Sequence, residues 1–448
     1  MPAQARRSSW YQTTLSSFTE RSLSFCPSSL PECDRLDIME GVCHSWAAYL
    51  SDTAAEPPGS KEKYLDTADN GSVIDSPFDE TLILSNQLKS GFKGKIQEQE
   101  LVTMFDSSTS PDKSKFGVFV DTQAYIARSE DGSSITLAVR GSESSKDWAT
   151  NLTAVQTRWE PNTGGDLKRG HAGMFSCFDA CAINQGITPM VHLGWYNAFL
   201  SMGAVLDQFR KLAKDPKVKN ILFCGHSQGG AVAMFCLANF LERNAHEMDM
   251  FIRQGKTVKL LTIGQPRVGD LAFVEHVQDL SAKLAGAGRF KVNRIMTGGD
   301  ACAVFPPQAL NYHHFGLPIC FEDEERVKED TTRGSLGGDE LESMVVFGTN
   351  VDEAALEAKD LEKAFGADYV QKLEAKSLES MDGGDVHALE FNPDALFSHA
   401  TNTYFQCFRM CEHAMGGQPF TPLSPKSKEK VRKASVPGMG GMLDFGKK

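Results

Sequence analysis

The sequence contains no uninterrupted apolar run near the ~18 residues that a membrane-spanning helix needs, so only peripheral contact with a membrane or lipid droplet is expected. Its N-terminal stretch, MPAQARRSSWYQTTLSSF, is rich in Ser, Thr and Arg and holds no acidic residue before Glu20, yet it lacks the apolar core of a secretory signal. A soluble, cytoplasmic protein is therefore expected, with the Ser and Arg bias as the one feature that points toward organelle targeting. Basic charge is scarce: 46 Lys and Arg stand against 58 Asp and Glu, a formal net charge of −12. This excludes nucleic acid as the main partner, because a phosphate backbone rewards clustered cations. Metal-ligand spacings are lacking too. Cys177/Cys181 and Cys407/Cys411 are spaced for one helix face, without a His or second pair at zinc-ligand spacing beside either. No metal and no organic cofactor is expected. The eleven cysteines are an odd number, and Cys224 and Cys236 lie in apolar contexts where a free thiol packs as a small hydrophobe.

The 448 residues, 41% hydrophobic, suffice for one sizeable core with additions. Residues 1–80 mix Pro, Ser and Gly clusters around one candidate helix, Asp37–Leu50, and read as a partly disordered N-terminal extension. Residues 81–321 hold β-branched apolar runs, among them SITLAVRG (134–141), NILFCG (220–225), VKLLTIG (258–264) and FKVNRIM (290–296). Helical patterns at Tyr196–Lys214, Gln228–Glu242 and Asp270–Leu284 lie between them. Alternating strands and helices predict an α/β fold, a mostly parallel central sheet with helices on both faces. Residues 322–394 are acidic, and 352–381 reads as an amphipathic charged helix, expected as a solvent-facing insertion. Residues 395–415 return to the core. Residues 416–448 read as a disordered basic tail, with two further readings: attraction to anionic headgroups, or phosphorylation at Ser435.

The chemistry centres on Gly225-His226-Ser227-Gln228-Gly229. A G-x-S-x-G run puts its serine on a tight turn between a strand end and a helix start, and here the strand NILFC precedes it and a helical pattern follows. The helix N-terminus would aim N–H groups at developing negative charge. By itself the pattern also fits an ordinary Gly-rich turn. Downstream, two carboxylates compete to orient a base. Asp270 begins a helix after Gly269, where an N-cap explains it, whereas Asp300 lies in a loop after a strand. His313, His314, His387 and His399 all follow Asp300.

Five segments in order, DTQAYIA with SITLAVRGSESSKDWATNL, VHLGWYNAF, FCGHSQGGAVA, TIGQPRVGD, and NRIMTGGDACAVFPP leading into YHHFG, resemble the class 3, or fungal-type, lipases of the α/β-hydrolase superfamily. The resemblance implies an α/β-hydrolase fold with Ser227 as nucleophile, Asp300 as triad acid, and oxyanion donors from the backbone N–H groups of Ser142 and Gln228. It implies a base before an aromatic pair, which favours His399, followed by Tyr404 and Phe405, over the alternative His314 in the H-x-G step. The spacing to Tyr404 and the long Asp-to-His interval depart from the family pattern. Residues 143–155 match the family's lid, and Trp148 is either a lid residue over the substrate or a core aromatic. His192 and His226 match family positions that shape the site. The implied function is hydrolysis of tri-, di- or monoacylglycerol esters at a lipid interface through an acyl-enzyme. A carboxylesterase for small soluble or aromatic esters and a catalytically silent scaffold are the alternatives.

Overall fold

The computed structural model describes residues 32–51, 84–91 except 87, 97–107, 122–141, 154–160, 188–321 except 317, 353–375 except 374, and the single residues His399 and Tyr404. Its centre is a seven-stranded sheet in the order β1-β2-β3-β6-β7-β8-β9. The strands are β1 (Gln99–Asp106), β2 (Gln123–Ser129), β3 (Ser134–Val139), β6 (Asn220–His226), β7 (Thr257–Ile263), β8 (Phe290–Thr297) and β9 (Pro318–Phe321), while β4 (Gln156–Arg158) and β5 (Met190–His192) form a separate antiparallel pair. From β3 through β9 every neighbour pairs in parallel, and β1 and β2 add an antiparallel edge.

Parallel pairing buries both faces of the central strands, and β6 shows why NILFCGH reads as a continuous apolar run. Ile221 and Phe223 enter one core cluster with helix α4 (Gln228–Arg243), and Leu222 and Cys224 enter a second with helix α1 (Glu32–Ala47). Helices thus cover both faces, as expected of an α/β-hydrolase sheet. α4 is buried from Gly229 to Leu241, which accounts for its small and apolar composition. Cys224 and Cys236 are buried free thiols, and Cys43 and Cys320 are buried as well.

Three features differ from the sequence reading. The region assigned to an N-terminal extension supplies α1, whose Ile38, Val42, Cys43 and Ala47 pack against β6 and β7. Their spacing of about one helical turn marks an apolar stripe that the surrounding Pro/Ser-rich composition masks. Tyr196–Lys214 is two helices, α2 (Leu193–Leu200) and α3 (Gly203–Ala213), separated at Ser201 and Met202. Helix α7 (Glu353–Phe365), in the segment expected to face solvent, seats Leu361, Ala364 and Phe365 in the main core cluster. Two further helices are α5 (Met248–Arg253) and α6 (Leu271–Gly286). Among the described residues, no helix is long and apolar enough to cross a membrane. The basic tail and the pairs Cys177/Cys181 and Cys407/Cys411 lie outside the described residues.

Candidate active site

Ser227 sits where β6 hands over to α4, with φ of +57° and ψ of −132°. A non-glycine residue in that region is strained and persists only where surrounding packing holds it. The packing is tight: a Cβ on Gly229 would lie 2.2 Å from the Val139 carbonyl oxygen, so the serine can be thrust outward only because its neighbour has no side chain. Ser227 Nα bonds the Ile263 carbonyl at 2.8 Å, which ties the elbow to β7.

Asp300 follows β8 and the left-handed Gly299 (φ +87°), and it caps the short 3-10 turn Ala301–Val304. It is fully buried and accepts hydrogen bonds from the backbone N–H of Cys302 at 2.9 Å, from Ala303 N–H at 3.3 Å, and from the Tyr404 hydroxyl. His399 Nδ1 lies 3.0 Å from both Asp300 carboxylate oxygens, and its Nε2 lies 2.7 Å from Ser227 Oγ. A carboxylate only accepts, so Nδ1 carries the proton and Nε2 is left to accept from the serine hydroxyl. Gly264 makes room for the pair. With φ of +55°, it would bring a Cβ within 2.9 Å of Asp300 Oδ2 and 3.1 Å of the His399 ring.

Electrostatics follow from this burial. Burial alone would raise the Asp300 carboxyl, but the His399 ring and the Tyr404 hydroxyl outweigh it and hold the group below the ordinary carboxylate range. Burial alone would lower the His399 imidazole, but the Asp300 charge and hydrogen bond raise it well above its ordinary value. His226, beside His399 at a ring-centroid distance of 4.7 Å, is pushed down to about 3 by burial and by that neighbour. It is neutral, donating from Nε2 to the His399 carbonyl at 2.7 Å and accepting the Tyr49 hydroxyl at Nδ1, also at 2.7 Å. Asp300, Cys302 and His399 bring ligand-type atoms within 4.8 Å of one another, but His399 and Asp300 are already bonded to each other and to Ser227 and Tyr404. This arrangement moves a proton between a hydroxyl and an imidazole held by a carboxylate.

The other sequence candidates sort as follows. His314 Nε2 bonds the Ala303 carbonyl at 2.8 Å, behind the acid turn, and the position against Ser227 Oγ is taken by His399. Asp270 is an N-cap, accepting from Phe273 N–H at 2.8 Å and Met190 N–H at 3.0 Å. His192 caps α2 and stacks on Trp195. Gln228 is the first residue of α4, so its N–H belongs to the helix terminus beside Ser227. Ser142, Trp148 and His387 lie outside the described residues, as does most of the segment expected to be a lid. Sequence reasoning missed Tyr49, which reaches His226 from the 3-10 turn Ala48–Ser51 that follows α1, and Asp360 of α7, which accepts the Gly299 N–H at 3.1 Å. Neither has a local motif, because each acts across 61 or more residues of chain.

Residues 136–310 match the family model for Lipase (class 3). The lipase of Rhizomucor miehei is 26% identical over 231 residues, covering 52% of this chain and 53% of that protein. Secreted mono- and diacylglycerol lipase 1 of Fusarium solani is 26% identical over 194 residues, covering 43% of this chain and 45% of that protein. The chain spans about half the length of the curated relatives it matches. Among solved structures, the Rhizomucor miehei lipase propeptide complex is 21% identical with a TM-score of 0.38, covering 66% of this chain and 71% of that one. Residues 136–310, which run from β3 through the Ser227 elbow and past the acid turn, are thus similar to the class 3 lipases, on a mostly parallel sheet with helices on both faces.

Proposed function

We propose that the protein is a serine lipase that hydrolyses acyl esters of glycerolipids, with Ser227 as nucleophile, His399 as base and Asp300 as acid. The observation that carries the reading is the hydrogen-bonded chain from Ser227 Oγ through His399 to Asp300, all buried at the strand end that the fold exposes to ligands. As Ser227 Oγ attacks the ester carbonyl carbon, its proton passes to His399 Nε2 and the carbonyl electron pair moves to oxygen. The N–H groups of Gln228 and Ser142 are proposed to stabilise that oxyanion, each donor contributing about 10²–10³ in rate. Collapse breaks the ester C–O bond, His399 returns the proton to the leaving alcohol, and Ser227 is left acylated. Water, deprotonated by the same ring, releases the fatty acid and restores the serine.

Tri-, di- and monoacylglycerol are the proposed substrates, met at a lipid interface, in a cytoplasmic protein. The lipase and the mono- and diacylglycerol lipase names among the relatives support this class. Emulsified long-chain acylglycerol should be hydrolysed by the wild-type protein and not by Ser227→Ala, with a rate that jumps above the solubility limit of the substrate. A rate that only follows dissolved ester would replace the lipase reading with a carboxylesterase for small esters. A wild type inert to every ester would leave a silent scaffold.

A further inference from the structure

The acidic segment between Asp300 and His399 does not behave as its composition suggests. α7 lies against the 3-10 turn that Asp300 caps, with Leu361 and Phe365 in the core and the Phe365 ring 6.1 Å from that of Phe305. N-terminal to these apolar anchors, the same face carries two buried carboxylates, Glu357 and Asp360. Glu357 pairs with the fully buried Arg267 at 2.8 Å and accepts the Gln308 N–H at 3.2 Å. Asp360 is 1% exposed, its Oδ2 accepts the Gly299 N–H at 3.1 Å, and its Oδ1 has no hydrogen-bond partner among the described residues.

Burying a half-satisfied carboxylate against a second carboxylate is unfavourable unless its position is required. The Gly299 N–H belongs to the residue that immediately precedes Asp300, at a left-handed glycine where the chain reverses out of β8. A fixed acceptor there limits how the turn can rotate and so where the Asp300 carboxylate points.

We propose that Asp360 is a positioning residue for the triad acid: from a helix outside the matched lipase region, it clamps the Gly298–Gly299 turn and aims Asp300 at His399 Nδ1. The inference rests on the triad reading above. A charge effect accompanies the clamp. Asp360 feels the charge of Asp300, has Lys359 and Lys363 on its own helix, and is pushed up to about 6 by burial and by Asp300. When ionised, it adds negative potential to the acid loop that favours protonated His399.

The test is phosphonylation of Ser227 in the full-length protein by a p-nitrophenyl alkylphosphonate, read by p-nitrophenolate release across pH. Asp360→Ala, which removes the acceptor, should slow the limiting rate about tenfold or more with little change in the half-saturating phosphonate concentration. Asp360→Asn, which keeps an oxygen for Gly299, should restore most of the rate and move the acid limb down by about half a pH unit. A wild-type rate in Asp360→Ala, or an Asp360→Asn as slow as Asp360→Ala, would overturn the clamp. If Asp360→Ala does not fold, Asp360→Asn decides: a displaced acid limb supports the proposal and an unmoved one overturns it. No labelling of the wild type would instead refute the triad reading, and this inference with it.

Discussion

Replacing Glu357 by Ala removes one partner of a buried ion pair and leaves the Arg267 guanidinium, fully buried, without its carboxylate. Were α7 a solvent-facing insertion, the pair would contribute about 0–1 kcal/mol, as exposed pairs do. Breaking a buried pair from one side costs about 3–5 kcal/mol. Two features set the value within that range. Arg267 keeps the Val304 and Pro306 carbonyls as acceptors, which lowers the cost, while Gln308 N–H loses the acceptor it has in Glu357, which adds about 1 kcal/mol. A loss of about 3 kcal/mol is expected, with Glu357→Gln, which retains both acceptor geometry and packing, costing roughly half as much. Urea denaturation of both variants and the wild type measures it as a lower midpoint at unchanged slope. The melting temperature should fall by about 6–12 °C at 2–4 °C per kcal/mol. An Ala variant within about 0.5 kcal/mol of wild type would show that the segment does not share the core, and the reasoning on α7 would fall with it.

Gly264→Ala puts a Cβ at a left-handed position and within 2.9 Å of Asp300 Oδ2, so it should cost about 1–2 kcal/mol of stability and reduce kcat about 10²-fold, as urea titration and steady-state rates would read. Tyr404→Phe removes a donor from the buried Asp300 carboxylate and the acceptor of Thr297 N–H at 3.2 Å; calorimetry should show a loss of about 1.5–3 kcal/mol. For pH, the raised His399 implies that its attraction to Asp300 stabilises the fold fully below the unfolded histidine value and is lost as pH rises through the folded one. The lowered Asp300 gives the opposite limb, present above the unfolded carboxylate value and lost as pH falls through the folded one. Activity needs neutral His399, so kcat/KM should climb on the alkaline side of the ordinary histidine value. Asp300→Asn should move that limb down while lowering kcat by about 10³–10⁴.

The sheet was legible because parallel strands buried on both faces leave apolar runs that no polar face interrupts, as in NILFC and VKLLTI. The edge was not: β1, QELVTMFD, is mostly half-buried, and its alternation of polar and apolar residues is weak. α1 was legible as a helix at Asp37–Leu50, but its share in the core was not, because Pro- and Ser-rich stretches surround it. α7 was misread for a different reason. Glu357 and Asp360 look like a solvated face because sequence shows their charge but not their partners, which come from Arg267, Gln308 and Gly299, 49 to 90 residues away. At the site, the Ser227 elbow has a local signature, and Asp300 could be separated from Asp270 because an N-cap has one too. The base had none. Chain order alone admits both His314 and His399, and the hydrogen bond of His399 to Ser227 separates them in space.

The central claim is that Ser227 is a nucleophile activated by His399 and held in register by Asp300. Peptide mapping by mass spectrometry after reaction with a long-chain alkylphosphonate tests it most directly. The account predicts one adduct, on Ser227, formed by the wild type and all but absent from His399→Ala, while His314→Ala is labelled like the wild type. An adduct on another residue, or equal labelling of Ser227 with His399 removed, would contradict it.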